Sequence, residues 1–164
     1  MNFIEFLDQF VSGAGLVLLF GVITATITGI GSARAVGRVG SVVTGVLEED
    51  PSLFGRALVL QALPGTQGIY GLLVWFFIFL NIGFFDGSYA NVTVTQGLLY
   101  VIATLPMMIV GYFSSTYQGA VAADGVILTS KRPSEMVKAL ILAAMVETYA
   151  IFALLASILS ILFI

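Results

Sequence analysis

Ala143-Ala144-Met145-Val146-Glu147-Thr148-Tyr149-Ala150 lies in the middle of an apolar run covering residues 136–164. Glu147 is the one charged residue deep inside that run. If the run crosses a bilayer, Glu147 lies near mid-membrane. A carboxylate there costs roughly 2.5–3.5 kcal/mol on insertion scales, and an ionisable group at that depth points to a functional site. The reading is an ion-binding carboxylate. The plainer alternative is a protonated carboxyl that only ties helices together.

The rest of the chain supports a bilayer as its solvent. Of the 164 residues 59% are apolar and 9% charged, where a soluble domain carries about 25% charged residues. The mean hydropathy is +1.09. With no Cys and no His, thiolate nucleophiles, imidazole bases and Cys- or His-ligated metals are excluded. Six Lys and Arg and a net charge of −3 leave no footprint for nucleic acid. The amino-terminal stretch Met1-Asn2-Phe3-Ile4-Glu5-Phe6-Leu7-Asp8 is acidic, whereas a cleaved signal peptide has a basic start. The first apolar segment is therefore expected to be retained.

A spanning helix needs about 20 mostly apolar residues. Four segments qualify: 11–46, 54–82, 92–128 and 136–164. The first and third breaks contain Pro51-Ser52 and Pro133-Ser134, with Pro near a helix start, where its missing N–H costs least. Arg34, Arg38 and Arg56 flank the first break, and Lys131, Arg132 and Lys138 flank the third. The positive-inside rule then places loops 47–53 and 129–135 in the cytoplasm and both termini outside.

The chain also repeats itself at an offset of 82 residues. Gly29 matches Gly111, Ser32 matches Ser114, Gly37 matches Gly119, Pro51-Ser52 matches Pro133-Ser134 and Thr66 matches Thr148. The expected fold is an all-α membrane protein of four transmembrane helices. They form two tandem hairpins in the same orientation, 1–82 and 83–164. Gly21, Ala25, Gly29, Ala33, Gly37, Ser41 and Gly45 place a small residue at every fourth position of the first span, with Gly111, Ser115, Gly119 and Ala123 in the third. Such rows let helix backbones approach closely. Their length suits many helices around an axis, a homo-oligomeric ring of identical chains.

Polar residues converge at the depth of Glu147. Glu147 is 14 residues past Pro133, Gln67 is 16 past Pro51 and Gln118 is 15 before Pro133. At about 1.5 Å per residue these are all roughly 21–24 Å from the Pro loops. Thr66 and Tyr70 lie within a turn of Gln67. Pro64 removes a helix hydrogen bond and obstructs the carbonyl four residues back, leaving backbone carbonyls from Gln61 to Leu63 partly free. Carboxylate, amide, hydroxyl and carbonyl oxygens suit a hard cation. Alternatives remain for each neighbour: interhelical hydrogen bonding for Gln67 and Gln118, back-bonding for Thr66, packing for Tyr70. Asp124 is expected to face solvent or an Arg such as Arg34 or Arg38.

Three segments carry a resemblance: Leu63-Pro64-Gly65-Thr66-Gln67-Gly68-Ile69-Tyr70, Ala143-Ala144-Met145-Val146-Glu147-Thr148-Tyr149-Ala150, and Gln118-Gly119 with the Gly29-Ile30-Gly31-Ser32-Ala33 stripe. Over essentially its whole length the chain resembles the proteolipid of the membrane rotor ring of V-type rotary ATPases in its duplicated four-helix form. It looks most like the bacterial sodium-translocating branch. The resemblance implies a non-catalytic rotor subunit that carries ions while ATP is hydrolysed on other subunits. It implies sodium ligands at Leu63 (backbone carbonyl), Thr66, Gln67, Gln118 and Glu147, with Tyr70 hydrogen-bonding the carboxylate. It further implies identical chains in a ring, a membrane stator subunit with an Arg, a central-stalk subunit at the cytoplasmic loops, membrane lipids and a location in the bacterial plasma membrane. A proton-carrying version of the same ring is the alternative. A stand-alone four-helix ion transporter or channel is the rival of another class. The middle loop, 81–91, is longer than the resemblance predicts.

Overall fold

The computed structural model describes Asn2, Ile4, Asp8 and residues 10–164. Most of the acidic amino-terminal stretch thus lies outside the described residues. From Gly13 onward the described residues form the helices α1 (Gly13–Glu49), α2 (Phe54–Ala62), α3 (Thr66–Asn81), α4 (Val94–Lys131) and α5 (Met136–Leu162). A single 3-10 turn, Leu63–Gly65, joins α2 to α3, so these two make one span. Gly13–Glu49, Pro51–Asn81, Val94–Lys131 and Pro133–Leu162 are each long and apolar enough to cross a membrane. The first and third spans, α1 and α4, run three residues further toward the Pro loops than hydropathy predicts, because Glu48, Glu49, Ser130 and Lys131 continue the helix after apolar sequence has ended.

Local chemistry sets these boundaries. Ser12 caps α1, its hydroxyl accepting from the Gly15 N–H at 3.0 Å. Asp50 stops α1 in an extended conformation and accepts from the Ser52 N–H at 2.9 Å, just ahead of Pro51. Thr93 and Gln96 form a reciprocal capping box at the start of α4, satisfying backbone donors that the first turn leaves open. The middle loop turns on Gly83 and Gly87, at φ +68° and +84°, a region where a Cβ is disfavoured.

Helices α1 and α4 form the centre. A Cβ on Gly97 would lie 2.7 Å from the Gly13 carbonyl oxygen, one on Gly31 2.6 Å from Ser115 Oγ, and one on Gly119 2.7 Å from Ala35 Cβ. Each pair is 84 residues apart, so α1 and α4 run parallel and in register. The second span returns antiparallel along α1. A Cβ on Gly71 would collide with Thr28, Gly68 faces Ser32, and Gly40 faces Gln61. In the same way α5 returns along α4, with Gly125 against Ala139 and the Met107 N–H donating to Ser157 Oγ at 3.1 Å. Pro106 precedes that amide inside α4, and the serine supplies an acceptor where Pro perturbs the helix ladder. Two half-chains of the same form, related by a parallel repeat, make the protomer.

The small-residue rows divide in a way that the sequence does not announce. Gly111, Ser115, Gly119 and Ala123 are buried and serve the contact inside the protomer. The first-span row is buried only at Gly21. A Cβ at Gly29, Gly37 or Gly45 would meet nothing. Between Ala33 and Gly45 the exposed face of α1 carries Ala33, Arg34, Gly37, Arg38, Ser41 and Thr44, with no large apolar side chain. The exposed faces of the second and fourth spans are the opposite, with Leu58, Ile69, Leu72, Leu142, Phe152 and Leu159 outward. Acyl chains suit the latter faces and not the former.

Candidate functional site

The site begins at Pro64. Its ring interrupts the second span, and the backbone tightens into the 3-10 turn Leu63–Gly65 before α3 starts at Thr66. The Leu63 carbonyl oxygen is not left bare, as the Pro alone would suggest. It accepts from the Thr66 N–H and from the Thr66 hydroxyl at 3.1 Å. Thr66 Oγ1 also lies 3.4 Å from Gln67 Oε1. Three oxygens, one each from Leu63, Thr66 and Gln67, are thereby gathered on one turn.

Gln67 is fully buried and points into α4. Its Nε2 donates to Gln118 Oε1 at 2.5 Å and approaches Ser114 Oγ at 3.4 Å. Gln118, also fully buried, passes the polarity on. Its Nε2 donates to Glu147 Oε2 at 3.1 Å. Tyr70, one turn after Gln67, donates to Glu147 Oε1 at 2.6 Å. Each carboxylate oxygen accepts from a different span, so the orientation of the group is fixed by two helices besides its own.

Five of the six residues expected from sequence are thus joined by side-chain contacts, and the sixth, Leu63, enters through its carbonyl. Three spans contribute. Charge balance narrows what the cluster can hold, because it contains one carboxylate and otherwise neutral oxygens. Among the described residues no group of three or more His, Cys, Asp or Glu could hold a metal. A single negative charge is neutralised by one monovalent cation or one proton, whereas a divalent ion would leave an unbalanced positive charge in a costly place.

Two residues of the site go beyond the expected set. Ser114 is 5% exposed; its hydroxyl donates to the Val146 carbonyl at 3.0 Å, on the residue before Glu147. Ser32 accepts from the Gly68 N–H at 2.9 Å, fixing the start of α3 to α1. The two serines are repeat-equivalent, and Ser114 precedes Gln118 by one helical turn. That spacing is the signal in the sequence that could have found them.

Arg34 departs from expectation as well. Because Ala35 packs on Gly119, Arg34 lies level with Gln118 and not at the loop. Its Nη1 donates to the Tyr112 hydroxyl at 2.7 Å. Glu147 is therefore not the only ionisable residue at this level. Asp124 is exposed, and Lys138 pairs with Glu135 at 2.5 Å.

Comparison with known proteins agrees with the two-hairpin fold. The family of the ATP synthase C subunit matches twice, over residues 13–78 and 101–160, one match in each hairpin. The chain is 44% identical over 141 residues to the V-type sodium ATPase subunit K of Enterococcus hirae, covering 85% of this chain and 86% of that one. It is 40% identical over 129 residues to the A-type ATP synthase subunit K of Methanocaldococcus jannaschii, covering 78% of this chain and 55% of that one. The chain therefore spans little more than half the length of the latter relative.

Proposed function

The chain belongs to the family of the ATP synthase C subunit, and from that premise we propose that it is the ion-carrying member of the rotor ring of a V-type rotary ATPase, with sodium as cargo. Such proteolipids are non-catalytic, and ATP is hydrolysed on other subunits. The observation that carries the reading is the lone carboxylate of Glu147, set among neutral oxygen donors from three membrane spans. The proposed ligands are the Leu63 carbonyl, Thr66, Gln67, Gln118 and Glu147, with Tyr70 holding the carboxylate. A proton needs one acceptor; the extra oxygens favour sodium. The relative named as a sodium ATPase subunit supports the same choice.

The physics of rotation follows from solvation. A bare carboxylate facing acyl chains is prohibitively costly, so a site passes lipid only when an ion or proton has neutralised it. A stator Arg would displace the ion where the site leaves the lipid. The apolar outer faces of the second and fourth spans suit lipid, while the small, polar face of α1 suits a neighbouring copy or the ring interior. The two hairpins, 1–82 and 83–164, act as one unit with a single site. The basic residues flanking loops 47–53 and 129–135 support a cytoplasmic position for them, where a central-stalk subunit would dock, with both termini outside a bacterial plasma membrane.

Transport by the assembled complex tests this reading. Glu147→Gln keeps the size and one acceptor oxygen, replaces the other oxygen with an NH2 group and removes the charge. The expected result is loss of sodium transport and of sodium-stimulated ATP hydrolysis, with the ring still assembled. Wild-type transport by Glu147→Gln would overturn it, and proton transport unaffected by sodium would replace sodium with the proton version.

A further inference from the structure

Ser114 has no place in the ligand set above, yet it is buried in the middle of it. A serine hydroxyl has one hydrogen and two lone pairs. Here the hydrogen is committed, because the Val146 carbonyl 3.0 Å away can only accept. Toward Gln67, therefore, Ser114 can offer only a lone pair. The Gln67 amide responds by turning Nε2 to Ser114 and Gln118, at 3.4 and 2.5 Å. Its Oε1 is then directed to the opposite side, beside Thr66 Oγ1. An amide presents nitrogen or oxygen with nearly the same shape, and Ser114 adds a second acceptor beside Gln118 Oε1 on the nitrogen's side. Only the oxygen is a cation ligand.

We propose that Ser114 is a positioning residue for the ion site: by accepting from Gln67 Nε2 while donating to the Val146 carbonyl, it holds the Gln67 amide with its oxygen toward the cation. The inference rests on the sodium reading of the site. The same hydroxyl ties α4 to α5 at the residue that precedes Glu147, so one side chain sets the orientation of Gln67 and the approach of the carboxylate's helix. Ser32, its repeat-equivalent, also uses its hydroxyl as an acceptor toward the second span. It accepts from a backbone N–H of α3.

The test is sodium protection of Glu147 against a hydrophobic carbodiimide, measured on membranes containing the assembled protein. Ser114→Ala removes the lone pair, and Ser114→Thr retains it. The expected result is that Ser114→Ala raises the sodium concentration for half-protection about tenfold, the scale of one lost buried hydrogen bond. Ser114→Thr, which keeps both the lone pair and the O–H, restores the wild-type concentration. Half-protection that stays raised in Ser114→Thr would overturn the positioning role. Should Ser114→Ala not assemble, Ser114→Cys keeps the size with a weak hydrogen-bonding atom and is expected to shift half-protection in the same direction. Wild-type half-protection in Ser114→Ala or Ser114→Cys, with sodium protecting the wild type, overturns the role of Ser114 alone. Absence of protection in the wild type overturns the sodium reading and this inference with it.

Discussion

Tyr70 of the second span donates its hydroxyl to Oε1 of Glu147 on the fourth, at 2.6 Å and across 77 residues of sequence. Gln118 holds the other oxygen. The carboxylate is thus pinned from two helices. Hydrogen bonds to charged groups contribute about 1.5–3 kcal/mol. Tyr70→Phe is expected to weaken sodium binding by roughly ten- to a hundredfold on that basis, without changing the stability of the assembled protein by a comparable amount. Equilibrium binding of radioactive sodium to the purified assembly measures it. Unchanged affinity would mean that the tyrosine only packs.

Gly119 allows α4 to touch α1. A Cβ there would lie 2.7 Å from Ala35 Cβ and 3.0 Å from Ala35 Cα, and backbone cannot step aside as a flexible side chain can. Overpacking of this kind costs about 1–3 kcal/mol. Gly119→Ala is therefore expected to lower the thermal unfolding temperature of the detergent-solubilised protein, and to weaken sodium binding at the neighbouring Gln118.

Gly37 is the contrasting case. It is repeat-equivalent to Gly119, but a Cβ added to it meets nothing within the protomer. Gly37→Leu should leave the protomer folded and its site geometry intact. If the small, polar face of α1 is the ring-building face, the same substitution breaks the oligomer into smaller species. Native mass spectrometry reads this directly. An intact large oligomer would show that the exposed row is not a packing surface between copies.

The fold is largely legible in the sequence because hydropathy, Pro loops and an 82-residue repeat all point to two tandem hairpins. The level of the site is legible from residue counts alone: Gln67, Gln118 and Glu147 do meet in space. Other features are not. Ser114 is marked in the sequence by its match to Ser32 and its place one turn before Gln118, but neither says what its hydroxyl meets. The two rows look equivalent, yet Gly119 is buried and Gly37 is open. Arg34 reads as a loop-flanking cation because α1 is longer than a bilayer is thick. The packing of Ala35 on Gly119 shows how deep it lies.

The middle loop carries a pH-dependent feature. Asp86 accepts from the Ser88 hydroxyl at 2.6 Å and from the Ser88 N–H at 3.0 Å, and the hydroxyl, then the backbone, hold its carboxyl below the usual aspartate value of 3.8. A lowered folded-state value stabilises the turn above the ordinary carboxylate range, and that contribution disappears as pH falls through the lowered value. Acidification should therefore reduce the exchange protection of the Ser88 amide. Asp86→Asn should remove this pH dependence, as followed by amide hydrogen exchange.

The central claim is that Glu147 binds sodium within a set of oxygen ligands. The most direct measurement is modification of Glu147 by a hydrophobic carbodiimide, which attacks a protonated, buried carboxyl, followed by mass spectrometry over a sodium titration. The account predicts that sodium slows labelling in a saturable manner and that potassium at the same ionic strength does so far less. Labelling of Glu147 at one rate, with or without sodium, would contradict it.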